Sequence, residues 1–107
     1  MKREDILEAA KECVCGERDV EYGSPKDNFL TIARFWTNYL RAAHPELHVT
    51  TFTASAKDVA LMMALLKIAR AAHGDKADNF IDLAGYAACA GEIVGDVKEM
   101  GEHGTIC

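Results

Sequence analysis

The stretch VALMMALLKIARAA, residues 59–72, places apolar side chains in every direction around a helix and is interrupted by Lys67 and Arg70 alone. A helix that is apolar on all sides is normally buried. Ser55 precedes the stretch with an acid three residues later, which is the spacing of a capping box, and Gly74 follows as a candidate C-cap. The stretch therefore predicts a buried helix at the centre of the fold.

Three further segments have the apolar periodicity and the end signals of helices. Gly16 follows the first of them, and Ser24-Pro25 opens the second with an N-cap residue and a proline at the first helical position. Their predicted bounds are Glu4 to Val14, Ser24 to about His44, and Asn79 to about Met100. The second carries a wide apolar stripe that predicts its packing face: Phe29, Ile32, Ala33, Phe35, Trp36, Tyr39 and Leu40.

A chain of 107 residues is long enough for one domain. We expect an all-α, four-helix bundle-like domain over residues 1–100, with residues 101–107 as a flexible tail. The β-branched stretch 47–53 has no partner strand and is predicted to be an ordered loop. Three other helices cannot easily cover a helix as apolar as 59–72 in so short a chain, so we also expect a homo-oligomer.

Charge and composition limit the partners. The net charge of −5 argues against a polymeric nucleic acid, which requires a clustered cationic surface. The longest apolar run, residues 59–66, is too short to span a membrane, and the charged N-terminus lacks the apolar region of a secretory signal. The four cysteines have neither zinc-finger nor thioredoxin spacing. We expect a soluble cytoplasmic protein with reduced thiols and no membrane partner.

Residues 67–86 contain a set of polar side chains whose role can be interpreted in two ways. Lys67 and Arg70 share one face of their helix, and each needs an anionic partner if it is buried. Asp78, Asp82 and Tyr86 follow at four-residue spacing on the next helix and can face them. Either the four charges form an internal ion-pair lattice, or they line a pocket in which the cations meet phosphate oxygens. Both interpretations stay open.

A second group of candidate ligand residues lies around the start of the predicted second helix. Tyr22 and Ser24 precede free helix N–H groups that favour anions, and Asn28 and Trp36 add polar and aromatic surface. Asn79 joins them as an amide that can contact a sugar or a base. No zinc spacing, Walker loop, GxGxxG or GxSxG motif occurs, and no residue is assigned as catalytic.

An ordered set of motifs between Ile6 and Glu92 resembles a family of small phage and prophage proteins of unassigned function. The motifs are EYGSPxDN (21–28), IA (32–33) with Trp36, DVAxMM (58–63), KxxR (67–70) and DNxxDxxGYA (78–87). The set is also similar to nucleotide-modification-associated helical domains of phages and, more distantly, to the MazG-like all-α nucleoside triphosphate pyrophosphohydrolases. The resemblance implies a nucleotide-type ligand and the host bacterial cytoplasm.

The MazG-like hydrolases imply Mg²⁺-dependent cleavage of a nucleotide to its monophosphate and pyrophosphate, on two pairs of acids from neighbouring helices. This chain departs from that pattern, since Lys67 and Arg70 stand where acids are needed. Asp78 and Asp82, with Asp58 as a third candidate, would supply two or three carboxylates for Mg²⁺.

Three functions therefore remain. The first is a phage-type protein that binds a nucleotide or nucleotide-derived signal in a helical, intersubunit pocket and can sequester it from host defence, with no cofactor. The second is a Mg²⁺-dependent nucleotide pyrophosphohydrolase with Asp78 and Asp82 as metal ligands. The third is a structural oligomer that uses the charges as an ion-pair lattice.

Overall fold

The computed structural model describes residues 1–16, 24–47 and 52–97. Those ranges contain four α-helices, one 3₁₀ turn and no strand. The α-helices are α1 (Arg3–Cys15), α2 (Pro25–Ala43), α3 (Ala56–Ala71) and α4 (Ala77–Val97), and the 3₁₀ turn is Pro45–Leu47. The predicted all-α class is confirmed for the described part of the chain.

The starts of α2 and α3 are fixed by the capping residues that the sequence predicts. The Ser24 hydroxyl accepts a hydrogen bond from the backbone N–H of Asp27 at 3.2 Å, and Pro25 occupies the first helical position. At α3 the Ser55 hydroxyl accepts from the N–H of Asp58 at 3.0 Å, while the Asp58 carboxylate accepts from the N–H of Ser55 at 2.9 Å. Each cap satisfies a helix N–H that has no partner inside the helix.

Several predicted boundaries need correction. Helix α3 ends at Ala71 with Ala72 as its C-cap, so Gly74 is not the capping residue. Helix α4 begins at Ala77, two residues before the predicted start. The predicted loop 47–53 has Leu47 in the 3₁₀ turn, and its residues 48–51 lie outside the described ranges. The predicted tail, 101–107, also lies outside them.

Helices α3 and α4 form a helical hairpin that makes the most extensive contact in the fold, with α1 packed on α4 and α2 packed on α3. The core lies where α2, α3 and α4 meet and is built largely of small side chains. Its buried members are Phe29, Ala33, Ala54, Ala56, Val59, Ala60, Cys89, Ala90 and Ile93. Small residues let the helix axes approach closely, because a long side chain would hold them apart.

Within the single chain α3 is not buried on all sides, as expected of a helix that three other helices cannot cover, and its burial by a second subunit stays a prediction. Its buried residues, Ala56, Val59, Ala60 and Ala64, are small, and the half-buried Met63 packs against the core beside them. The other large apolar residues of α3 point away from the core, and we call them the outer face of α3: Leu61, Met62, Leu65, Leu66 and Ile68. Helical periodicity reveals a buried face only when the opposite face is polar, and α3 is apolar on both faces.

The predicted packing stripe of α2 is also wrong in part. Phe29 and Ala33 are buried, but Phe35 and Tyr39 are 70% and 67% exposed. Helix α2 reaches its neighbours along one narrow face, and these two rings lie beside that face. No helix in the described ranges is both long enough and apolar enough to cross a membrane.

Candidate functional site

An ion pair joins the two helices of the hairpin. The Nζ atom of Lys67 on α3 lies 2.9 Å from Oδ2 of Asp82 on α4. The Lys67 side chain is 13% exposed and that of Asp82 is 37% exposed, so most of the lysine side chain is packed in the hairpin while its partner reaches solvent. A charged group on a side chain with so little exposure is stabilised by a close anion, and Asp82 supplies it.

Polar and aromatic side chains continue along α4 from this pair. Asn79, Asp82 and Tyr86 follow at three- and four-residue spacing on one stripe, and all three are half-buried. The Tyr86 ring packs against the ring of Phe29 from α2, with centroids 6.1 Å apart and planes tilted by 37°. The three helices α2, α3 and α4 therefore meet at a surface that offers a cation, a carboxylate, an amide and a phenol.

The predicted lattice of four charges is reduced to one pair. Arg70 and Asp78 are both exposed, and within the described ranges neither takes part in an ion pair. Arg70 lies one turn beyond Lys67 on α3, and Asp78 lies one turn before Asp82 on α4. Both remain available at the edge of the Lys67–Asp82 pair.

The other predicted ligand residues have mixed positions. Ser24 is half-buried and its hydroxyl is engaged in capping α2. Asn28 is half-buried, and Trp36 is half-buried against the same core cluster that Tyr86 borders. Tyr22 lies outside the described residues. The structure therefore brings Trp36 and Tyr86 to one core, while Ser24 serves a local structural role.

The described residues do not form a preassembled cluster of metal ligands. In ranges 1–16, 24–47 and 52–97, no group of three or more His, Cys, Asp or Glu side chains is placed to hold a cation. Asp58 is bound in its capping box and lies nine residues from Lys67, roughly 13 Å along the helix. Asp82 is held by Lys67. Mg²⁺ usually keeps several waters and is held by one or two carboxylates together with substrate phosphates, so Asp78 and Asp82 would need a phosphate ligand and water to complete an octahedral shell.

Phe29 belongs to the site surface, although the sequence indicated it only as a core residue. Its place beside Tyr86 depends on how α2 crosses α4, and periodicity along either helix gives no signal of that crossing.

A cleft of about 390 Å³ lies at the other end of α3 and contains none of the predicted ligand residues. Its lining residues are Lys26, Leu30, Ser55, Ala56, Lys57, Ile93 and Val94. The walls of the cleft are mostly apolar, and the Ser55 hydroxyl is engaged in the α3 cap. Polar groups that converge are what orient a nucleotide-type ligand, so we place the candidate site at the Lys67–Asp82 pair.

The fold and the site define a small all-helical protein whose helical hairpin is joined by a partly buried lysine–aspartate pair. The chain belongs to the family described as "Domain of unknown function (DUF6378)", whose model matches residues 5–94. This agrees with the predicted resemblance to a phage family.

Two curated phage proteins are similar to the chain. The Gene 55 protein of Mycobacterium phage D29 is 40% identical over 91 residues, which cover 84% of this chain and 54% of that protein. The Gene 55 protein of Mycobacterium phage L5 is 42% identical over 83 residues, which cover 77% of this chain and 47% of that protein. The chain thus spans about half the length of these relatives. No solved structure matches it significantly, and the comparisons lend no support to the MazG-like resemblance.

Proposed function

We propose that the chain is a phage-type protein of the host cytoplasm that binds a nucleotide-type small molecule at the surface around Lys67 and Asp82, without turning it over. The observation that carries the proposal is the state of the Lys67 ammonium. An ammonium has three N–H donors, and Asp82 takes one of them. No other hydrogen bond or ion pair of Lys67 occurs within the described ranges, so two donors are free for a ligand or for water.

The charges around Lys67 suit a phosphate with a polar neighbour. Arg70 is exposed one turn away and carries the planar donor fork that binds phosphate oxygens in a bidentate manner. Asp82 neutralises part of the positive charge and holds the Lys67 ammonium in place. Its carboxylate can also accept a hydrogen bond from a ribose hydroxyl or a base N–H. Asn79, one turn before Asp82, adds both a donor and an acceptor.

The apolar part of such a ligand has an aromatic wall available. Tyr86 is half-buried beside Asp82, and its ring is supported by Phe29. A base stacked on a ring that is already packed loses little side-chain entropy on binding. Trp36 at the border of the same core extends the aromatic surface.

The pairing of Asp82 with Lys67 supports binding over the hydrolase alternative, because one of the two candidate metal ligands already meets a cation. The structural alternative is supported by the Lys67–Asp82 contact itself, because this pair alone would tie α3 to α4. The two functions differ in one respect: a purely structural pair leaves the protein insensitive to small molecules.

Thermal melting with mono-, di- and triphosphate nucleotides, ADP-ribose derivatives and cyclic dinucleotides, each with and without Mg²⁺, tests the proposal. A ligand at about 100 times its dissociation constant adds about 2.7 kcal/mol to the free energy of unfolding. We expect one class to raise the melting temperature and to be recovered intact. Recovery as a monophosphate only with Mg²⁺ would establish the hydrolase, and no shift from any compound would establish the structural role.

Lys67→Met is the variant that locates the site, and Lys11→Met on exposed α1 is its charge-matched control. We expect Lys67→Met to remove the ligand-induced shift and Lys11→Met to retain it. Because Lys67→Met also breaks an ion pair, each shift is measured against the melting temperature of the same variant without ligand. Equal ligand shifts in both variants would place the ligand elsewhere.

A further inference from the structure

In a monomeric domain, a helix normally turns its large apolar side chains towards the core. Most of the large apolar side chains of α3 face the other way. Its core face carries the small Ala56, Val59, Ala60 and Ala64 with Met63, whereas five of its six large apolar side chains lie on the outer face of α3 and are between 38% and 62% exposed. Burying a large apolar side chain contributes about 1.5–3 kcal/mol, which the single chain largely forgoes at these positions. Such an arrangement is expected where the outer face is buried against another surface.

The outer face is also free of charge over its whole length. From residue 59 to residue 69 the sequence contains one charged side chain, Lys67, and that side chain turns inward to Asp82. Soluble helices normally place charged residues on the side that faces water. The other charges of α3 stand at its two ends instead, with Lys57 and Asp58 at the start and Arg70 at the finish.

We propose that the outer face of α3 is the contact surface of a homodimer, in which α3 packs antiparallel against α3 of a second copy. Closed twofold pairing presents the same patch from both chains, and the outer face suits this because it is apolar throughout. With the twofold axis near Leu65, Leu61 of each copy would meet the region of Ile68 in the other. This dimer is independent of any ligand and goes beyond the proposed function.

The twofold axis and the helix dipoles decide the direction of pairing. A twofold axis perpendicular to α3 pairs the two copies of the helix antiparallel, which also opposes the helix dipoles favourably. Parallel packing would instead bring like ends together.

The area of the outer face is close to that of a specific interface. Large apolar side chains have areas of roughly 150–200 Å², so the observed exposures leave on the order of 400 Å² per copy. Pairing two copies would bury about 800 Å² before the flanking Ala69 and Ala72 and the rim are counted, against a lower bound of about 1,000 Å² for a biological interface. An interface near this lower bound is expected to associate weakly, as a dimer in exchange with the single chain.

Sedimentation equilibrium on the full chain and two matched variants tests the dimer. Leu65 is 62% exposed on the outer face of α3, and Leu7 is 63% exposed on α1, so the two leucines differ in location but not in exposure. We expect the wild-type chain and Leu7→Lys to have twice the mass of one chain at tens of micromolar, and Leu65→Lys to have the mass of one chain. A monomeric wild-type chain, or a dimeric Leu65→Lys, would overturn the proposal.

A second measurement covers the case in which Leu65→Lys disturbs the fold. In a chain whose Cys13, Cys15 and Cys107 are replaced by Ser, Leu65→Cys should form a disulfide-linked dimer under mild oxidation, because the two introduced thiols face each other across the axis. Leu7→Cys in the same background should not. Equal crosslinking of the Leu65→Cys and Leu7→Cys variants would show that Leu65 is not paired across a twofold axis, and the proposed dimer would be wrong.

Discussion

The hydroxyl of Thr37 accepts a hydrogen bond from the backbone N–H of Ala54 at 2.9 Å and donates one to the carbonyl of Ala33 at 2.8 Å. Thr37 is 4% exposed, so both bonds are buried. One side chain of α2 thereby holds the residue before the α3 cap, and the course of the chain into α3 depends on it. Arg41, one turn further on, reaches the same segment through the Phe52 carbonyl at 2.7 Å.

Thr37→Val keeps the shape of this side chain and removes its hydroxyl. We expect the free energy of unfolding to fall by about 1–3 kcal/mol, because the buried N–H of Ala54 is left without an acceptor. Urea denaturation measures the loss, and hydrogen exchange should show the Ala54 amide exchanging faster. Thr37→Ser is the control and should retain most of the stability. If the valine variant matched the wild-type protein, the Ala54 contact would have no energetic role.

A double-mutant cycle on Lys67 and Asp82 measures the ion pair. Asp82→Leu should cost about 1–3 kcal/mol, less than at a fully buried pair, because Asp82 is 37% exposed and solvent screens part of the interaction. The double variant Lys67→Met/Asp82→Leu should recover much of the loss, since no charge is then left unpaired in the hairpin. Chemical denaturation of the four chains gives the coupling energy, and strictly additive losses would contradict the contact.

Ser55→Ala removes the hydroxyl that caps α3. We expect a loss of about 1 kcal/mol in the free energy of unfolding, since the N–H of Asp58 loses its acceptor and the capping box is broken. Ser55→Asp is the matched control, because aspartate also accepts from that N–H. A thermal melt of both variants checks the prediction, which fails if Ser55→Asp is as unstable as Ser55→Ala.

Gly85 marks a close approach of α1 to α4. A Cβ atom at Gly85 would lie 3.1 Å from Cγ1 of Val14, which is tighter than ordinary contact. In the wild-type background we expect Gly85→Ala to be nearly neutral, because a gain in helix propensity of up to about 1 kcal/mol is offset by this crowding. In a Val14→Ala background the same change should stabilise the protein relative to Val14→Ala alone. Equal effects in both backgrounds, measured by denaturation, would show that Val14 is not the obstacle.

The sequence by itself determined the helices and where two of them begin. The caps at Ser24 and Ser55 were predictable because a cap is a local interaction, made within three residues of the helix start. The pairing of α3 with α4 was also within reach, since the turn of residues 72–76 is too short to separate the two helices. The spacing of Lys67 and Asp82 allowed their contact.

Only the tertiary structure decided which apolar face of α3 meets the core, and which acid meets Lys67. Periodicity marks a buried side when the other side is polar, and α3 offered no such contrast, so the outward position of Leu65 had no local signal. Asp78 and Asp82 lie on the same stripe of α4, so spacing allows either of them to meet Lys67. The pairing with Asp82 depends on how far the two helices are shifted along each other. That shift is set by side chains packed between different helices, which no pattern within one helix records.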